Sequence, residues 1–276
     1  AQRCRRHDGA RMSSPSPTHP AGMGATSRPA PAPHRRADDV FFTVMSLAML
    51  AIVLLGFASS YFLRGAALSH QPSVLVHAHG LVFSSWMVLG VVQPALVATG
   101  QLRLHRRLGL AGALIAGAMV VLGVLTTFGT LARGLALPPA LGSPASFLIG
   151  NLIEMLFFGA FVALAVYRRN DRIVHKRAML IANAALLPPA LFRMAFPVVE
   201  HPALTFPVMV QHPALIGLVP LAAIAALFVF DLATRRRVFV VTVIGGALLC
   251  AMGPLSDAVT ATTLAQQLAA WAQLPS

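Results

Sequence analysis

Cysteine is nearly absent from this chain: Cys4 and Cys250 are the only two among 276 residues. Cys4 lies in a leading polar segment and Cys250 inside an apolar run, so neither a disulfide framework nor a Cys-based metal site can be built. Charge is sparse as well, at 11% of residues, against 57% hydrophobic. The apolar residues form blocks long enough to cross a bilayer, which identifies a polytopic membrane protein. Acidic residues are the scarcest charge, 8 against 21 Lys and Arg, for a net +13. A nucleic-acid binder needs its cations on a folded, water-exposed face. Here they sit in short segments between apolar blocks, so nucleic acid is excluded as a partner, and the lipid bilayer and anionic lipid headgroups are expected instead.

Other absences narrow the class further. The chain has no phosphate-binding Gly-rich loop, no H-E-x-x-H zinc motif and no nucleophile elbow. No connection between apolar blocks is long enough to hold a soluble catalytic domain. The apolar runs do not alternate and exceed the length a barrel strand needs, so the fold class is all-α. Residues 1–39 lack the apolar stretch of a signal peptide and are rich in Pro, Ser, Ala and Arg, as in "MSSPSPTHPAGMGATSRPAPAPHRR". They are expected to form a disordered basic cytoplasmic tail.

What remains is a seven-span bundle over residues 40–254. A helix rises about 1.5 Å per residue and a bilayer core is about 30 Å thick, so spans of roughly 20 residues are required. They are expected near Val40–Leu63, Val74–Ala98, Leu110–Ala132, Phe147–Tyr167, Ala178–Val199, Pro213–Ala233 and Val238–Pro254. All Lys and Arg except Arg64, Arg133 and Arg193 then fall on one side of alternate connections. Cations accumulate on the cytoplasmic side, which sets the N-terminus inside and the C-terminus outside, in the cytoplasmic (inner) membrane. Residues 255–276 are expected as a short extracytoplasmic tail, suited to an amphipathic helix. Pro188 and Pro189 predict a kink in the fifth span. The small-residue third span, with Ala113 and Gly117 four apart, is expected to be a closely packed central helix.

Polar groups inside the spans are the candidate functional residues. On a helix that starts at Val74, His77 and His79 turn about 160° apart and cannot chelate one ion, whereas a helix that starts after His79 leaves joint ligation open. His79 shares a stripe with Phe83, Trp86, Gly90 and Gln93, and is open to both a structural and a ligand-binding reading. Glu154 and Arg193 lie roughly 5 and 7 Å from their span centres by residue count, on the same side. A charge at the centre of a helix costs on the order of 2.5–3.5 kcal/mol on the insertion scale, so an intramembrane ion pair is the economical arrangement. Asn151, one turn before Glu154, is placed to add a hydrogen bond. The alternative is a polar pocket bordered by His79, Glu154 and Arg193, with Glu200, His201 and His212 above it, suited to a small polar ligand, a quinone headgroup or a proton relay. At the other end, His105 in "HRRLG" and His175 in "HKRAML" sit at matching depths among cations. They read either as headgroup contacts and anchors or as two imidazoles clamping haem iron.

The runs "HAHGLVFSSW", "RLHRRLG" and "DRIVHKRAMLIANAALLPPALFRM" resemble a loose set of uncharacterised bacterial multipass membrane proteins of the domain-of-unknown-function type. The likeness covers roughly residues 74–194. More distantly the arrangement is similar to membrane b-type cytochromes and oxidase-assembly proteins, in which His on bundled helices hold haem. That resemblance implies haem b as the leading cofactor, with His79, His105 and His175 as candidate ligands. Three functions therefore stand as expectations: binding of haem b or a quinone for electron or proton transfer, a non-redox small-molecule carrier using the Glu154–Arg193 pair, and a membrane assembly factor without a ligand site.

Overall fold

A computed structural model describes residues 33–62, 73–134, 142–196 and 206–274. Residues 1–32 of the tail expected over residues 1–39, together with Arg64, Glu200 and His201, lie outside them. Among the described residues there is no strand, and the chain is an all-α bundle. Its helices are α1 (Pro33–Phe57, closed by a π-helical turn at Ala58–Phe62), α2 (Val74–Ala98), α3 (Leu102–Ala132), α4 (Pro144–Tyr167), α5 (Arg172–Ala185), α6 (Pro188–Ala195), α7 (Pro207–Gln211), α8 (Leu215–Arg235), α9 (Val240–Thr260) and α10 (Thr263–Ala272). Seven segments are long and apolar enough to cross a membrane, with α5 and α6 together making the fifth. Large apolar side chains such as Leu47, Leu81, Leu114, Leu156, Val229 and Ile244 stand exposed on the bundle surface. An apolar surface this extensive suits contact with lipid rather than water.

The ends of the helices show where local chemistry departs from a pattern reading. α1 starts at Pro33, whose fixed φ and missing N–H suit a first helical turn, so residues 33–39 are helix and not tail. Ser73, Ser143 and Asp171 cap α2, α4 and α5 through their side-chain oxygens. α3 starts at Leu102, earlier than Leu110, and carries Arg103, Arg106 and Arg107 in its opening turns. α9 runs on through Pro254 to Thr260, so the separate C-terminal helix is shorter than residues 255–276. It packs Ala269 and Ala272 against Leu131, Ala145 and Leu148, at the ends of α3 and α4.

The fifth span, not the third, is the central helix. On α5, Ala178, Ile181, Ala182, Ala184 and Ala185 are fully buried, whereas α3 turns Leu110, Leu114 and Val121 outward, and a Cβ at Gly117 would meet nothing. Lipid tails are as apolar as Leu, so association of spans depends on close packing around small residues, and the Ala-rich α5 offers them on every side. A Cβ at Gly245 of α9 would run into Ile181 at 2.6 Å, and one at Gly56 of α1 would lie 2.3 Å from the Ala190 carbonyl oxygen on α6. The fifth span breaks at Leu186–Leu187, where the Leu186 and Leu187 amides donate three residues back, to Asn183 and Ala184, at 3.2 Å each. Pro188 and Pro189 have no N–H to continue the ladder.

Candidate functional site

One end of the bundle, here the basic end, gathers the starts of α1, α3 and α5 and the end of α8. Asp38 of α1 accepts from Lys176 of α5 and from Arg235 of α8, the latter at 2.6 Å. Next to it Arg177 forms a bidentate pair with Asp231 of α8, its Nε donating at 2.9 Å, and both side chains have no exposure at all. The guanidinium also donates to the Ile173 carbonyl at 3.1 Å and lies 4.1 Å from the centre of the Phe239 ring. The Thr242 hydroxyl donates to Asp231 at 3.5 Å. Lys176, Arg177 and Arg235 are internal partners of two carboxylates that sequence reasoning passed over, because Asp38 was assigned to a tail and Asp231 was absorbed into an apolar run.

The two basic-end imidazoles are neighbours, with ring centres 6.4 Å apart and planes at 85°. His175 Nδ1 lies 2.8 Å from the Ala165 carbonyl of α4. His105 approaches the backbone carbonyl of Gln93 on α2, and its Nδ1 is buried without a hydrogen-bond partner.

In the far half, polar groups converge without pairing. Arg193 of α6 lies within electrostatic reach of both His79 of α2 and Glu154 of α4. Yet no ion pair within 4.0 Å joins it to either, in contrast to Lys176–Asp38, Arg177–Asp231 and Arg235–Asp38 at the basic end. Arg193 Nη1 instead donates to the Pro189 carbonyl one turn back, at 2.8 Å, and the guanidinium sits 4.3 Å from the centre of the Phe57 ring. The direct Glu154–Arg193 contact is thus not formed, because the guanidinium finds an acceptor on its own helix and a π face beside it. Asn151 likewise does not serve Glu154: its Nδ2 donates to the Phe147 carbonyl at 2.7 Å, the back-bonding that short polar side chains favour on helices.

Glu154 is 8% exposed. His79 stacks on Phe83, ring centres 4.0 Å apart, faces the Leu122 backbone of α3, and leaves Nδ1 buried without a partner. His212 is exposed, in the loop between α7 and α8. His77 is also exposed, 3.3 Å from the Tyr61 hydroxyl.

The cluster rests on a bond the sequence did not announce. The Trp86 indole donates to Asn183 Oδ1 at 2.7 Å, fully inside the bundle, and the indole meets Phe158 edge-on at 5.3 Å. Trp86 thereby ties α2, which carries His79, to α5 and to α4, which carries Glu154. A polar Asn in the middle of an apolar run was the available signal. No family model, no curated protein and no solved structure matches this chain.

Proposed function

We propose that this chain is a redox protein of the cytoplasmic membrane that binds a quinone headgroup at the His79–Glu154–Arg193 cluster and handles the protons of its reduction. One observation carries the reading: the half-buried Arg193 lies within electrostatic reach of the half-buried His79 and the buried Glu154, and no ion pair within 4.0 Å joins it to either. An intramembrane ionisable group is costly unless paired or used, and groups that do not pair with one another remain available to a ligand. A quinone presents two carbonyl oxygens to N–H donors and exchanges two protons as it takes two electrons. Arg193 and His79 supply the donors, and Glu154 is the group able to give or take a proton next to them. The apolar surroundings suit a ligand that arrives dissolved in lipid.

His79 is the one imidazole of this cluster among the described residues, so it offers haem iron a single axial ligand. The N-terminus is assigned to the cytoplasm, with exposed Arg106, Arg107, Arg169, Arg172, Arg236 and Arg237 against anionic headgroups, on the strength of the cation asymmetry.

The test is equilibrium binding of a short-chain benzoquinone to the full chain in nanodiscs. Glu154→Gln and Arg193→Gln are expected to weaken it tenfold or more while the protein stays folded. Equal binding by wild type and both variants overturns the reading. The carrier reading is favoured by a separate observation, the break at Leu186–Leu187 immediately before the helix that bears Arg193, since interrupted helices line substrate sites in transporters. It is distinguished by proteoliposomes that move protons or solute with no quinone present, an activity lost in Glu154→Gln.

A further inference from the structure

Past the last span, at the end of the bundle away from the basic loops, α10 follows α9 after only Ala261 and Thr262. The Thr262 hydroxyl accepts from the Ala265 amide at 3.3 Å, and the Gln266 side chain donates back to the Thr260 carbonyl at 2.8 Å. These two bonds fix the direction in which α10 leaves the seventh span.

At about 100° per residue, the side chains of α10 and its C-cap Gln273 fall into three sectors. Ala265, Ala269 and Ala272 form the first, buried on the ends of α3 and α4. Leu264, Leu268 and Trp271 form the second, with Leu264 73% and Trp271 63% exposed. Thr263, Gln266, Gln267 and Gln273 form the third, and all four are exposed. Small residues thus seat the helix on the bundle, and its largest side chains turn away from it.

The large apolar sector does not stop at α10. Trp271 meets Phe128 of α3 edge-on, with ring centres 6.2 Å apart. Phe128 in turn continues the helical stripe on which Leu114, Val121 and Leu125 stand exposed, at spacings that keep them on one face. That stripe belongs to a span long and apolar enough to cross a membrane, so the outer face of α10 is continuous with a lipid-facing surface. A tryptophan at such a boundary places an apolar ring against acyl chains and leaves its N–H for the polar layer. No Asp, Glu, Lys or Arg follows Asp257 in the sequence, so α10 has no charge with which to select an anionic headgroup.

We infer that α10 is an interfacial helix, lying in the leaflet opposite the basic end, with Leu264, Leu268 and Trp271 sunk roughly 5–10 Å into the headgroup–acyl boundary. Its partner is the neutral phospholipid interface. Because the Ala sector sits on α3 and α4, the helix ties the ends of those two spans to one depth in the bilayer. The inference is independent of the quinone reading.

The experiment is lipid-depth quenching of tryptophan fluorescence in the full chain, reconstituted in phosphatidylcholine nanodiscs. Trp86, the other tryptophan, is buried, so the difference between wild type and Trp271→Phe isolates the Trp271 signal. Bromine on the acyl chain near the headgroup is expected to reduce that signal about twofold or more, bromine near the bilayer centre less, and aqueous iodide least. Exchanging part of the phosphatidylcholine for phosphatidylglycerol should leave the pattern unchanged. Leu264→Asn, which thins the apolar sector without touching the Ala contacts, should make Trp271 more sensitive to iodide. Iodide quenching of wild type without a lipid effect would put the sector in water. Quenching by neither would put protein over it, from a second copy or another part of this chain. Either result overturns the assignment, as does lipid quenching that requires the anionic headgroup.

Discussion

The two ends of the bundle treat charge in opposite ways. At the basic end, Asp38 and Asp231 engage Lys176, Arg235 and Arg177, and the Arg177–Asp231 pair is shut off from solvent altogether. In the far half, Arg193, Glu154 and His79 lie close but make no ion pair. Removing a partner from a closed buried pair leaves an uncompensated charge. Removing a member of an open cluster takes away no such bond. The contrast separates charges that hold helices together from charges available to a ligand.

The largest break is expected from Arg177→Ala. It strands the Asp231 carboxylate at 0% exposure and should cost about 3–5 kcal/mol, read as loss of the folded fraction in thermal unfolding in detergent. The double replacement Arg177→Met with Asp231→Leu sharpens the point, since an apolar pair of similar volume should recover most of that stability. Next comes Asn183→Ala, which strips the buried Trp86 indole of its acceptor and should cost about 1–3 kcal/mol, with a shift in tryptophan emission as the second readout. Asp38→Asn should cost less, about 1 kcal/mol, because Lys176 and Arg235 keep 23% and 24% exposure and water compensates them. Glu154→Gln should change stability least, by under about 1 kcal/mol, while weakening the proposed quinone binding as described above. A loss in Glu154→Gln as large as that in Arg177→Ala would make the far cluster another structural lock and erase the comparison.

Much of the architecture was legible in the sequence because span length is set by bilayer thickness. Seven spans and the all-α class follow from block length alone. Which helices face each other does not, since α3 and α5 are both rich in small residues and only packing shows that α5 is central. Short-range competition was also hidden: Asn151 and Arg193 each choose a carbonyl one turn back on their own helix over a partner across the bundle. Asp38 was misread because a Pro- and Arg-rich approach looks like tail until Pro33 is recognised as the first residue of a helix. With so few acids in the chain, an Asp within an apolar run, as at Asp231, is itself a signal of a buried cation.

The joint at Leu186–Leu187 has a mechanical consequence. The α5 segment is pinned to α1 and α8 by its charge pairs, while α6, beyond the break, is held by close packing: Gly56 of α1 closes on the Ala190 carbonyl and Phe57 lies beneath the Arg193 guanidinium. One span is therefore two separately seated pieces, the first fastened by charge and the second by fit.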